Sequence, residues 1–222
     1  LWEGRREFRL INNWFHQRKV FAPDLFADRA IEFLQKQSSA QPFFMYFPTI
    51  IPHANNELGR FQPNGMESPD QGIYAKEDWP DVEKNFAAAI TRLDGYVGRI
   101  VETLKAKGLD ENTLILFTSD NGSHKEGGHD PNFFQSAGPL RGNKRDMYEG
   151  GIRVPAIVRW PGRVKAGQVS EIPWAFWDLL PTFAELGGAQ IPGRLDGVSL
   201  VRLWTAGVAP GRDHFYWEFH ER

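Results

Sequence analysis

The chain contains no cysteine among its 222 residues. That excludes disulfides, cysteine-ligated zinc and thiol catalysis within it, and leaves its compartment open. No apolar run approaches the roughly 18 residues that suggest a membrane span. No charged n-region followed by an apolar h-region marks a signal peptide. Neither sign of charge dominates: 26 Lys and Arg face 28 Asp and Glu, for a net charge of −2. That balance gives no support for a general nucleic-acid or membrane-surface role. Internal repeats and low-complexity tracts are also lacking. What remains is ordinary for a folded domain, with 41% hydrophobic and 24% charged residues. A compact fold of this length buries roughly 70% or more of its unfolded surface. The first residue is Leu1, and Asp213–Arg222 reads as the start of a strand with no closing element. The chain therefore reads as an internal piece of a larger protein, so a missing signal peptide says nothing about export.

Helical and strand patterns alternate along the chain. Asp24 is placed to cap a helix running to about Gln37, with Leu25, Ala30, Ile31, Phe33 and Leu34 mostly inward. Phe43 to Ile51 is a continuous apolar run, suited to a strand buried on both faces. Residues 54 to 80 are rich in Asn, Gly, Pro and Asp and read as a long loop. Asp81 to Lys107 is the clearest helix, with Pro80 for its first turn and Gly108 at its end. Leu114 to Thr118 and Val154 to Trp160 are further buried strands. Trp174 to Leu186 reads as a helix interrupted or restarted at Pro181. Trp174, Phe176 and Trp177 read as core. The alternation predicts an α/β fold with helices on both faces of a sheet.

Chemistry concentrates after the strand that ends in Ser119-Asp120-Asn121-Gly122. Neighbouring strand residues point to opposite faces, so Asp120 and Asn121 can share one ion only if the backbone turns there. Gly122 permits such a turn. A carboxylate and an amide oxygen are hard ligands suited to calcium or magnesium. The alternative is an Asx turn, which Asp-Asn-Gly forms readily. Lys144, between Arg141 and Arg145, can hold a tetrahedral oxyanion or belong to a solvated basic loop. His53 ends the apolar run and can donate to an anion or protonate a leaving oxygen, or simply bond to backbone. His124 and His129 either line a pocket or lie exposed, and His16, His214 and His220 have no supporting context. Glu149-Gly150-Gly151 allows a tight re-entry into the next strand.

With these pieces in order, the chain resembles the sulfatase family of the alkaline-phosphatase-like superfamily. The matching segments are Ser119–Gly122, Gly142–Lys144, Tyr148–Pro155 and Trp160–Gly162, with weaker echoes in Ile51–His53, Asp178–Thr182 and Asp196–Leu200. The resemblance runs from about residue 24 to 204. It implies an α/β/α layered sandwich around a mostly parallel buried sheet, here incomplete. Residues 1–204 would be the later part of the catalytic domain and 205–222 the start of a further subdomain.

The resemblance also implies a Ca2+ ion, with Mg2+ the alternative, bound by Asp120 and Asn121. His53 and Lys144 would be catalytic, and with His124 would bind the substrate. The nucleophile would be a formylglycine made from a Cys/Ser-x-Pro-x-Arg motif. That motif, two further metal-binding aspartates and a Lys-x-His pair are not found in these residues. The function implied for the full-length protein is a sulfuric ester hydrolase acting on a small-molecule or carbohydrate sulfate ester, with the piece alone inactive. Sulfatases of this type are commonly exported, so the resemblance implies a periplasmic, extracellular or lysosomal location. Two alternatives stay open: a phosphatase or phosphodiesterase of the same superfamily, and a non-catalytic binder of sulfated glycans. Against the first, Asn121 stands where many such enzymes carry a histidine in an Asp-His-Gly motif, and an amide oxygen favours one hard ion over zinc.

Overall fold

The structure, a computed structural model, describes residues 1–15, 17–191 and 193–220. His16 lies outside them. In chain order the elements are β1 (Trp2–Glu3), β2 (Arg6–Glu7), α1 (Ala22–Gln35), α2 (Asn56–Gly59), α3 (Asp81–Ala106), β3 (Ile115–Thr118), α4 (Glu149–Ile152), β4 (Ala156–Arg159), α5 (Leu179–Leu186) and α6 (Val201–Ala206), with short 3-10 turns between some of them. The chain divides into two compact units: Leu1–Leu109 with Asn121–Ile152, and Asp110–Asp120 with Arg153–Arg222.

The first unit is organised by α3. Asp81 and Glu83 lie in its first turn and Lys105 in its last, which suits the helix dipole at both ends. Gly108 ends it in the left-handed region at φ 66°, and the Leu109 amide closes back on the Leu104 carbonyl at 2.9 Å. Helices α1 and α3 meet over Ala27, Ile51, Ala89 and Tyr96, flanked by Phe21, Phe47 and Leu93. The predicted cap at Asp24 is not made. The N-cap is Phe21, because Pro23 suits the first turn, where no amide donor is needed. The Asp24 carboxylate instead accepts from Arg92 at 3.0 and 3.1 Å and from the Tyr96 hydroxyl, tying the two helices together. Burial and the Asp24 acceptor both push the Tyr96 hydroxyl well above its ordinary pKa. Phe33, expected inward, is 37% exposed.

The run from Phe43 to Ile51 differs from expectation. It carries no ladder, and its burial alternates: Phe43, Met45, Phe47 and Thr49 are half-buried, while Phe44, Tyr46 and Ile50 are 68%, 77% and 54% exposed. The two-residue side-chain period of an extended chain covers only one face here, although both faces are apolar. The loop of residues 54–80 contains a helical turn, α2, capped by the Asn55 side chain, which accepts from the Leu58 amide at 3.0 Å.

In the second unit, β3 and β4 pair antiparallel, from Ile115 opposite Arg159 to Thr118 opposite Ala156. Both strands are shorter than expected, and Ile157 is 60% exposed. The core is Leu200, Leu203 and Trp204, packed by Leu114, Val158, Trp174, Leu179 and Phe183 among others. Phe176, expected in the core, is 46% exposed. A 3-10 turn at Phe176–Asp178 runs into α5, whose third residue is Pro181. The proline needs no hydrogen-bond donor there, so it begins the helix rather than interrupting it.

Asp178 is the hub of this unit and is fully buried. It accepts from the Ala175 and Val198 amides, each at 2.9 Å, and from both terminal nitrogens of Arg212. Burial raises its carboxyl pKa, but the Arg212 hydrogen bond and the two amides outweigh that and leave it below the usual range. Thr182 donates to the Asp178 carbonyl at 2.6 Å and accepts from the Leu200 amide at 2.9 Å. A Cβ on Gly197 would overlap the Trp177 carbonyl. The segments 178–182 and 196–200 are thus one structural clasp. The expected strand at the end of the chain is not formed by residues 213–220.

Candidate active site

Three chain segments of the first unit converge on one cluster. His53 follows the apolar run, and its Nδ1 donates to the Ala54 carbonyl at 2.7 Å. In a neutral ring this leaves Nε2 as an acceptor. Lys144 is fixed at its backbone, where its amide donates to the Ser123 carbonyl at 2.6 Å. Its Nζ lies 2.8 Å from His53 Nε2 and 2.9 Å from Glu126 Oε2. Glu126 Oε2 is in turn 3.0 Å from His53 Nε2. A lysine, a histidine and a carboxylate therefore meet at one point. Glu126 was not singled out from sequence. A glutamate in a Gly-rich polar loop reads as solvated, and nothing in its spacing announces partners 18 and 73 residues away.

The charges are matched locally. Burial raises the Glu126 carboxyl pKa, but the Lys144 hydrogen bond, the Lys144 charge and the two histidines bring it below the usual value. Glu126 is thus an anion at neutral pH. It offsets the Lys144 charge and accepts from His53 whenever that ring is protonated at Nε2.

His124 and His129 are both buried rather than exposed. His124 Nε2 bonds the Pro52 carbonyl at 3.1 Å, and its Nδ1 accepts from the Glu126 amide at 3.1 Å. Its ring stacks on His53, with centroids 5.7 Å apart. With both nitrogens committed to backbone, His124 props His53 and Glu126 rather than presenting a free edge to a ligand. Burial lowers its pKa, opposed by the Pro52 carbonyl, so the neutral ring is favoured. His129 Nδ1 is 2.7 Å from Glu83 Oε2, and its ring lies flat on Phe86 at 3.7 Å between centroids. Glu83 also accepts from the Asp130 amide at 2.9 Å, anchoring the Glu126 loop to α3.

Glycines set the spacing of these loops through close approach. Gly122 does not take a positive φ, yet a Cβ there would overlap the Gly150 carbonyl oxygen. The Gly122 amide donates to the Gly151 carbonyl at 2.9 Å. Gly150 and Gly151 are buried in α4, and Cβ atoms there would strike the carbonyls of Gly142 and Asp146. The expected Glu-Gly-Gly turn is therefore a short helix, pressed against the loop that carries Lys144.

The expected metal ligands are consecutive in the chain. Asp120 is exposed after β3, and its carboxylate has no hydrogen-bond or ion-pair partner among the described residues. The Asn121 Nδ2 donates to the Gly122 carbonyl at 2.9 Å, which orients the amide. No group of three or more His, Cys, Asp or Glu side chains that could hold a metal occurs among the described residues. The donors this chain offers are one carboxylate and one amide oxygen, a set that fits a hard cation chemically.

Comparison with known proteins places the chain among sulfatases. A family model described as Sulfatase matches residues 9–189. The N-acetylgalactosamine-6-sulfatase of Mus musculus is 32% identical over 198 residues, covering 87% of this chain and 34% of that protein. The steryl-sulfatase of Rattus norvegicus is 38% identical over 138 residues, 60% of this chain and 24% of the relative. The chain thus spans about a third or less of the curated relatives it matches. Among solved structures, Ps i-CgsB in complex with k-i-k-neocarrahexaose superposes with a TM-score of 0.73 at 28% identity, covering 89% of this chain and 41% of that one. The fold is accordingly the α/β fold of the alkaline-phosphatase-like class. The family-model match over residues 9–189 shows that the chain belongs to the sulfatase family.

Proposed function

We propose that the full-length protein hydrolyses sulfate monoesters, with Lys144 and His53 at the transferring sulfuryl group. The observation that carries this reading is the meeting of Lys144 Nζ, His53 Nε2 and Glu126 Oε2 within 3.0 Å of one another. Lys144 supplies positive charge where negative charge builds on the sulfuryl oxygens. His53 hydrogen-bonds the departing oxygen and can deliver it a proton from Nε2. Its Nδ1–H contact to Ala54 keeps Nε2 aimed into the cluster. Glu126 accepts from both groups and holds their separation. His124 positions the pair from behind, and a substrate contact at its ring remains part of this proposal.

A calcium or magnesium ion would be held by Asp120 and Asn121, with the remaining ligands from residues outside this chain. When bound, such an ion polarises sulfate oxygens and lowers the pKa of the attacking hydroxyl. The formylglycine nucleophile belongs to the same proposal and also lies outside these residues. Residues 1–204 then form the later part of the catalytic domain, with 205–222 opening a further subdomain. The 222 residues alone are expected to be inactive. Export to a periplasmic, extracellular or lysosomal space is part of the same reading.

The test is sulfate release from an aryl sulfate by the full-length protein, run beside phosphate release from the matching aryl phosphate. Preferred sulfate release supports the reading. Preferred phosphate release replaces it with the phosphatase alternative. Binding of sulfated sugars without turnover of either ester supports a non-catalytic role.

A further inference from the structure

Glu83 is 2% exposed and His129 3%, and the reaction outlined above makes no direct use of either. They come from different segments, α3 and the loop after Gly122, 46 positions apart. The Glu83 carboxylate serves two neighbours: Oε2 accepts from His129 Nδ1 at 2.7 Å and Oε1 from the Asp130 amide at 2.9 Å. We infer that Glu83 is a positioning residue for the Lys144 cluster, acting through His129 and Asp130 to fix where Glu126 and His124 stand. This rests on the sulfate-ester reading above and extends its machinery to α3.

Packing alone does not account for the pair. His129 lies flat on Phe86, with centroids 3.7 Å apart and planes 13° apart, as a phenyl ring could. A carboxylate accepts at both oxygens, so His129 Nδ1 carries the hydrogen and Nε2 is left as an acceptor. That Nε2 is buried and has no hydrogen-bond partner among the described residues. Leaving a buried acceptor unpaired costs stability, and so does taking a carboxylate out of water. What the carboxylate adds is direction: two donors from consecutive residues are held at a fixed reach from one helix.

From the pair to the cluster the path is short and stiff. The His129 amide donates to the Glu126 carbonyl at 3.2 Å, closing a 3-10 turn over Glu126–Gly128. Gly128 has φ 85°, and a Cβ on it would overlap the Pro63 carbonyl oxygen. On the other side the Gly65 amide donates to the Gly127 carbonyl at 2.8 Å. A turn pinned in this way moves as a body. A displacement at His129 therefore reaches Glu126, whose Oε2 lies 2.9 Å from Lys144 Nζ and 3.0 Å from His53 Nε2. A second path runs through rings. Phe86 stacks on His129 and meets His124 edge-on at 5.9 Å between centroids, and His124 stacks on His53. Both paths start from one turn of α3, at residues 83 and 86. A site carried on loops gains precision from an anchor on a rigid element.

The test separates reach from charge in the full-length protein. Glu83→Asp keeps the charge and both acceptors but shortens the side chain by one methylene. Glu83→Gln keeps the length and loses the charge. Its amide oxygen can accept from Asp130, and its amide nitrogen can donate to His129 Nδ1 in the other tautomer. Rates on 4-methylumbelliferyl sulfate are measured well below each unfolding midpoint. In Glu83→Asp, kcat is expected to fall about 10- to 100-fold, the scale of a small misplacement, with KM little changed. Glu83→Gln is expected to stay much closer to wild type. A Glu83→Asp rate equal to wild type, or a Glu83→Gln rate as low as that of Glu83→Asp, overturns the positioning role. The same contrast is available from the other side. His129→Asn places an amide nitrogen where Nδ1 stands, and His129→Gln carries it one methylene further out. The Asn variant is expected to be the faster, and this order decides the role if Glu83→Asp does not fold. Crystal structures of wild type and Glu83→Asp read the positions without turnover. If no ester is hydrolysed, a Glu126 shifted from Lys144 in the variant upholds the role, an unmoved one overturns it, and only the hydrolase reading falls.

Discussion

Lys144 Nζ lies 2.8 Å from His53 Nε2 although the two residues are 91 positions apart in the chain. The Lys144 ammonium can donate to a neutral His53 Nε2, and Glu126 offsets its charge from 2.9 Å. If the three act together on a sulfuryl group, removing the ammonium removes charge stabilisation that water cannot restore. In the full-length protein, Lys144→Ala is expected to lower kcat on an aryl sulfate by about 100- to 1,000-fold, the usual effect of losing one oxyanion donor. Lys165→Ala, on an exposed loop of the second unit, should leave it unchanged. Similar rates for the two variants would remove Lys144 from the site.

Glu126 is expected to position rather than to react. In Glu126→Gln the amide keeps the shape and loses the charge that separates Lys144 from a protonated His53. A hydrogen bond to a charged group is worth about 1.5–3 kcal/mol, so kcat should fall about tenfold to a hundredfold with KM little changed. Stability adds a readout that turnover does not. The Glu126 pKa is depressed in the fold, so its contribution is complete above the ordinary glutamate value of about 4.3 and is lost as the pH falls through the folded value. The stability gap between wild type and Glu126→Gln, followed by denaturant unfolding, should therefore close on acidification below about pH 4. A gap that does not change with pH contradicts the ion pairing.

The sequence made part of this site legible and hid the rest for identifiable reasons. Helix α3 was readable because its apolar positions repeat at helical spacing and Gly108 stops it. The polar corner after β3 was readable because Asp, Asn and Gly cluster where a strand must end. Residues 43–51 misled because an apolar run does not say how many of its faces are covered. Glu149-Gly150-Gly151 misled because glycine is a poor helix former. Its two glycines serve the approach of neighbouring carbonyls, a requirement written in three dimensions only. Glu126 and the Glu83–His129 pair were invisible because their partners lie 18 to 73 positions away, on segments no local pattern connects to them.

The close approach at Gly122 can be tested by adding one methyl group. A Cβ there would overlap the Gly150 carbonyl, which is backbone and has no rotamer by which to move aside. Gly122→Ala should therefore displace the Asn121 corner from α4 and the Lys144 loop. The expected outcome is a loss of stability of about 1–3 kcal/mol, the scale of overpacking, together with loss of turnover. Gly98→Ala is the control: a Cβ at Gly98 meets nothing within 4 Å, and its place inside α3 favours alanine by about 1 kcal/mol. A Gly122→Ala protein that unfolds at the wild-type midpoint would show that the two backbones can separate without cost.

Asp178 offers a test that leaves the candidate site alone. Its carboxylate is fully buried and satisfied by two amides and by Arg212, itself only 11% exposed at the side chain. Asp178→Ala leaves that guanidinium and both amides without their acceptor. Breaking a buried pair from one side costs about 3–5 kcal/mol, far more than surface substitutions. Asp178→Asn keeps an acceptor and should lose less. The sign with pH follows from the depressed folded pKa: the contribution is whole above the ordinary aspartate value of about 3.9 and vanishes as the pH falls through the folded value. Thermal unfolding of wild type and Asp178→Asn should converge below about pH 4 and separate above it. Parallel unfolding curves across that range would mean that Arg212 does not draw its stability from the Asp178 charge, and that the clasp between segments 178–182 and 196–200 is held by the amide and Thr182 hydrogen bonds alone.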